Sequence, residues 1–160
     1  MKHTFHILHL TGFIFITAFT LISCDKVPMN GQLDGMWQIM KVQTAAGTHD
    51  AKADCAYLSI QLHLCQWDQL SKANQDGHVR IYSHFRREGD NIIFYDFAKP
   101  SLHRSNLDDN EMLTNDEMET QKLMGVWGIY HLNDSFHIRE LNSENLVLER
   151  EDTVLYFRKF

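Results

Sequence analysis

Alternation with a period of two runs through much of this 160-residue chain and confines it to half-buried extended strands. Leu58, Ile60, Leu62 and Leu64 alternate with Tyr57, Ser59, Gln61 and His63, which predicts one continuous strand over residues 57–66 with a single apolar face. Val79, Ile81, Ser83 and Phe85 alternate with Arg80, Tyr82, His84 and Arg86 in the same way. Glu88-Gly89-Asp90-Asn91 supplies turn residues, and residues 92–97 complete a hairpin. Phe136 and Ile138 alternate with His137 and Arg139, and two further turns separate strands at 146–150 and 153–159. Strands at 35–42 and 126–132 bring the expected number to eight. Closure removes exposed edges, so the pattern predicts an all-β fold, an eight-stranded antiparallel up-and-down barrel over residues 34–160.

One segment departs from the alternation. Thr114-Asn115-Asp116-Glu117 is a capping box, flanked by Leu113 and Met118 at the staple positions and followed by Gly125. It predicts one short helix over residues 115–124.

Residues 1–23 have the parts of an export signal: Lys2, then an apolar run over 7–22 that is shorter than the ~20 residues of a permanent span. Leu21-Ile22-Ser23-Cys24 at its end resembles the lipobox of bacterial lipoproteins. That resemblance implies cleavage before Cys24, acylation of Cys24, residues 24–33 as a tether, and membrane lipid as a partner. The expected address is the cell envelope, at the outer membrane and either periplasmic or surface-exposed. Asp25 resembles the inner-membrane retention signal of enteric bacteria and leaves the inner membrane open.

Fifteen basic residues stand against twenty-one acidic ones, a net charge of −6 that becomes about −7 when Lys2 leaves with the leader. Such a surface repels phosphate backbones, so nucleic acid is not an expected partner. Cys55 and Cys65 would sit in a compartment that permits disulfides. Ten residues of continuous strand hold them about 33 Å apart, beyond the ~7 Å a bridge tolerates. Two free thiols are expected.

Gly35-Met36-Trp37 resembles the Gly-x-Trp motif of lipocalins. The longer run from Leu33 to Ile39 after a lipobox, and the ending from Leu155 to Phe160, resemble the lipocalin-like lipoproteins of Bacteroides-type bacteria. The resemblance implies that Gly35 and Trp37 close one end of the barrel beneath an arginine from a late strand, which Arg158 matches in order. The second lipocalin motif, around Thr-Asp-Tyr, is absent. Gly125-Val126-Trp127 repeats the Gly-x-Trp pattern after the helix, as an internal repeat or as shared strand-start chemistry.

The remaining polar features also fit a solvated surface. His63, His84 and His137 on polar strand faces form no zinc spacing, alone or with Cys65. Asp108-Asp109-Asn110-Glu111 lacks the spaced ligands of a calcium loop. Asp96 shares the parity of Ile92 and Phe94, as an inward carboxylate or a strand end open to water. No Gly-x-Ser-x-Gly elbow and no phosphate loop occur, so no catalytic residue, metal or cofactor is assigned. The expectation is a non-enzymatic protein binding a small apolar or amphipathic ligand inside the barrel, against Leu58, Ile60, Leu62, Ile81, Phe85 and Phe136. The alternative is a protein–protein or inhibitor module of an envelope complex, using the acidic loop or the outward Arg80, Tyr82, His84 and Arg86.

Overall fold

The computed structural model describes residues 28–70, 78–100, 111–116 and 124–160. Among these, ten strands form one sheet: β1 (Gly35–Thr44), β2 (Gly47–Asp50), β3 (Ala56–Gln61), β4 (Leu64–Leu70), β5 (His78–Glu88), β6 (Asn91–Lys99), β7 (Glu111–Met112), β8 (Asn133–Leu141), β9 (Asn145–Arg150) and β10 (Thr153–Lys159). Eight of them run β1-β3-β4-β5-β6-β8-β9-β10 around a closed antiparallel barrel, with β10 pairing back onto β1. β2 and β7 are side additions to β1 and β6. Three single 3-10 turns accompany them: η1 (Gly31–Leu33), η2 (Lys52–Asp54) and η3 (Gly125–Trp127).

The eight barrel strands are not the eight read from the pattern. The run over residues 57–66 is a hairpin: Gln61 pairs with Leu64, and Leu62 turns the chain with φ +56°. Glycine, asparagine or aspartate usually marks such a turn. None stands here, so Leu62 reads as a continued apolar face although it is exposed at the tip. β4 is the strand thereby missed. Conversely, residues 126–132 are not a strand. Gly128 takes φ +67° between Trp127 and Ile129, and its missing Cβ leaves room for the Leu155 side chain. The expected helix over 115–124 lies mostly outside the described residues, as do Cys24 and the whole leader.

Both thiols are free, for a reason other than the one expected. The chain doubles back, yet Cys55 accepts a hydrogen bond from the Leu70 amide while Cys65 pairs with Ile60. Five residues of β4 separate these positions, about 16 Å along the strand. Cys65 is fully buried, and burial pushes its thiol pKa well up despite a hydrogen bond with Ser83.

Inward parity follows the revised strands. Leu58, Ile60, Ile81, Phe85 and Phe136 are buried in the core, joined by Cys65 and Trp67 from β4. Trp67 meets the rings of Phe94 at 4.9 Å, Trp127 at 5.8 Å and Phe97 at 6.3 Å, and Phe94 meets Phe136 at 6.2 Å. Its indole N–H donates to the buried Ser83 hydroxyl at 2.9 Å, which satisfies the polar tip of a large apolar side chain. Asp96 lies outside this cluster. Its φ of +55° beside a register shift turns it outward toward His84, 3.4 Å away, so Phe97 and Ala98 are both buried after it.

At the end where β1 begins, Trp37 is fully buried and its indole N–H donates to the Leu33 carbonyl at 2.8 Å. The cation above its ring is Lys159, with Nζ 4.2 Å from the ring centroid, and not Arg158. Trp37 is the strand partner of Lys159, whereas Arg158 pairs with Gln38 and reaches its side chain at 3.4 Å. One residue along a strand is the opposite face. Gly35 (φ +125°) lacks the Cβ that would meet Lys159 Cε at 2.8 Å. Lys159 also donates to the Gln32 carbonyl at 2.9 Å and to that of Asp34, and burial pulls its pKa down against the opposing pull of Asp34.

The Gly128 conformation gives a direct check on this architecture. Gly128→Ala adds a left-handed alanine at roughly 1–2 kcal/mol and a methyl overlapping Leu155 at ~1–3 kcal/mol. Urea denaturation is expected to show a loss of about 2–5 kcal/mol from these two effects. A change within ±0.5 kcal/mol, usual for a surface substitution, would contradict the packing described.

Candidate functional site

The barrel has two unlike ends. Trp37 seals the end formed by η1, the β3–β4 turn and the β8–β9 turn. The other, the mouth, is framed by the β1–β2 hairpin, η2 and the segment from Met124 to Tyr130. A cleft of about 560 Å³ opens there, lined among others by Val42, Thr48, His49, Gln69, Val126 and Tyr130.

The cleft exists because β1 changes partners. Its first half, Gly35 to Gln38, pairs with β3, and its second half, Lys41 to Thr44, pairs with β2. The exposed β2 thus peels away from the barrel wall and leaves a gap. The polar Thr44 side chain braces the turn, accepting from the Ala46 amide at 3.3 Å and donating to the Gly47 carbonyl at 3.4 Å. The base of the hairpin is pinned by His49 Nε2, 2.7 Å from Asp54 Oδ2 of η2, and by the Ala51 amide donating to the Met40 carbonyl at 3.0 Å. Asp50 Oδ1 accepts from the Lys52 amide at 3.1 Å.

The facing wall is held by a charge pair whose carboxylate is buried and whose guanidinium is partly exposed. Asp134 at the start of β8 accepts from the Tyr130 amide at 3.2 Å and from Arg150 Nη1. The Arg150 guanidinium lies over the Phe136 ring, 5.0 Å from its centroid. Burial lowers the Arg150 pKa, with the charge of Glu151 acting the other way. Beneath the wall, Met124, Trp127 and Ile129 are buried. Among the described residues, the buried indole N–H of Trp127, next in sequence to the cleft residue Val126, has no acceptor. A buried orphan donor is uncommon and calls for a partner.

The cleft therefore combines an apolar floor, Val42 and Val126, with hydroxyl, amide, imidazole and carboxylate groups at its rim. Among the described residues, no serine or cysteine lines it. Among the described residues no three His, Cys, Asp or Glu side chains come together as a metal site.

The residues expected to line a ligand are distributed differently. Leu58, Ile60, Ile81, Phe85 and Phe136 face inward, where the aromatic cluster meets them. Leu62 does not face inward, since the hairpin puts it outside. Of the outward residues considered for a protein interface, Arg80 is tied to Asp68 at 2.7 Å and Arg86 to Glu88 at 2.8 Å, while His84 stacks on Tyr95 at 5.7 Å. Most of the acidic loop lies outside the described residues. Nothing in the sequence marks His49, Asp54, Gln69 and Tyr130 as one site, because they come from four separate elements. The Thr44-to-Gly47 turn was the available signal, as small residues and a glycine between two polar runs.

Arg150→Met is expected to strand the Asp134 carboxylate and to cost about 3–5 kcal/mol in urea denaturation. Adding Asp134→Leu should restore most of that. A loss below about 1 kcal/mol, the range of an exposed pair, would contradict a buried role.

A comparison with curated proteins finds no match. Among solved structures, a lipocalin-like protein from Bacteroides uniformis matches at 21% identity with a TM-score of 0.59, over 81% of this chain and 100% of that one. An uncharacterized protein from Bacteroides eggerthii matches at 18% identity and a TM-score of 0.59, over 79% of this chain and 98% of that one. At such identities the likeness shows the shared fold. The fold of this family is typically a non-enzymatic, binding one. The family model for the lipocalin-like domain matches residues 18–160, and the chain belongs to that family.

Proposed function

We propose that this protein is a lipoprotein of the bacterial cell envelope, held in the outer membrane by acylated Cys24, that binds a small amphipathic molecule in the mouth cleft without transforming it. The cleft over a filled interior carries this reading. Its volume of about 560 Å³ falls within the ~300–1,000 Å³ of small-molecule sites. Its floor is apolar and its rim holds several polar groups, the arrangement that fixes a molecule with one greasy and one polar part. Leu58, Ile60, Ile81, Phe85 and Phe136 act as the packed support beneath the ligand. The lipobox residues Leu21 to Cys24 support the anchor.

Binding of the amphipathic dye ANS to the full chain tests the site. Val126→Asp places a charge on the floor and is expected to weaken binding at least tenfold, about 1.4 kcal/mol. Phe136→Leu inside the barrel should lower stability and leave dye affinity within twofold. The reverse pattern, with affinity lost through Phe136→Leu and kept in Val126→Asp, would place the ligand inside and overturn the mouth reading.

A further inference from the structure

The chain enters the barrel at the sealed end, and that end is greasy on one side. Met29, Met36, Leu62, Leu64 and Phe160 stand there with 61%, 41%, 56%, 38% and 72% of their surface open. They are neighbours. Met29 and Leu62 line one surface groove, and Leu62 and Leu64 line the next. The Asn30 side chain donates to the Leu62 carbonyl at 2.8 Å, tying the entering chain to the hairpin tip. The Phe160 amide donates to the Met36 carbonyl at 2.8 Å, which sets those two side by side.

Leu62 is held at φ +56°, a conformation that costs a branched residue roughly 1–2 kcal/mol and that glycine would adopt freely. An apolar side chain kept exposed against its own backbone preference gains nothing inside the fold. A contiguous exposed apolar group of this kind marks a partner surface. The tether names the partner. Cys24 precedes Pro28 by four residues, a link that spans at most about 14 Å. Acyl chains on Cys24 would hold this end within that distance of a lipid surface. The remainder of the same end is charged, with Arg86, Arg87, Glu88 and Asp90 around the β5–β6 turn and Glu140 and Glu144 by the β8–β9 turn.

We propose that Met29, Leu62 and Leu64, with Met36 and Phe160 beside them, rest on the membrane, so that the barrel leans on its β1–β3–β4 side and the mouth cleft faces away from the lipid. This orientation rests on the anchoring through Cys24 proposed above. Shallow apolar contact of this kind adds to an acyl anchor and scales with the apolar area buried.

The test uses the acylated full chain, methyl-labelled at Met and Leu, in nanodiscs of phosphatidylethanolamine and phosphatidylglycerol carrying a nitroxide headgroup. Methyl signals of Met29, Leu62 and Leu64 are expected to broaden several-fold more than those of Leu70 and Met112 near the mouth. Leu62→Glu should shrink that difference at Met29 and Leu64. Equal broadening at both ends, or stronger broadening at Leu70 and Met112, would overturn the orientation. Intact mass on the same sample reads the anchor separately. Without acyl mass at Cys24 the anchoring reading falls, and unacylated protein mixed with the same nanodiscs then decides the patch. Preferential broadening there upholds it, and none overturns it.

Discussion

Trp67 stands where the rings of Phe94, Phe97 and Trp127 converge, and its indole is fixed by the Ser83 hydroxyl. An eight-stranded barrel is just wide enough to be filled by its own side chains or to hold one small ligand. Here three tryptophans and three phenylalanines are among the largest fully buried side chains. Space inside is spent on them, and the mouth cleft lies beyond them, where the strands end. The partner change of β1 supplies that place, because β2 must leave the wall for β3 to close it.

The two Gly-x-Trp motifs show how one short pattern serves two geometries. Gly35 opens a strand and leaves room for Lys159 above Trp37. Gly125 opens a 3-10 turn that drops Trp127 onto Trp67 from the mouth side. They seal the barrel from opposite ends and are not related as a structural repeat. The sealed end satisfies its indole with a backbone carbonyl, while at the mouth end the indole N–H has no acceptor among the described residues.

The barrel and its closure were legible because alternation reports the inner face of each strand directly. Strands β5, β8, β9 and β10 and the first part of β6 follow from it. Misreadings arose where a backbone conformation ran against residue preference. Leu62 and Asp96 both hold positive φ, so a leucine turned the chain and an aspartate left the face its parity predicted. Gly128 did the opposite, breaking a run whose apolar residues looked like a strand. Omitting β4 and adding residues 126–132 offset each other, which is why the strand number came out right. The choice between Arg158 and Lys159 turned on a one-residue register that order along the chain does not contain. The cleft was illegible because its members meet only after closure. Asp134 and Arg150 are likewise distant in sequence and joined by the β8–β9 hairpin.

The ends of the barrel differ in chemistry as well as in packing. Charged turns and an apolar hairpin share the sealed end, whereas the mouth carries a paired imidazole and carboxylate over aliphatic floor residues. Placing a ligand at the mouth requires that the interior be occupied. Xenon enters dry apolar cavities, so methyl NMR under xenon pressure reads that occupancy directly. The account predicts that the Leu58, Ile60 and Ile81 methyl signals stay in place as xenon is added, whereas saturable shifts at those methyls would reveal an open interior and contradict it.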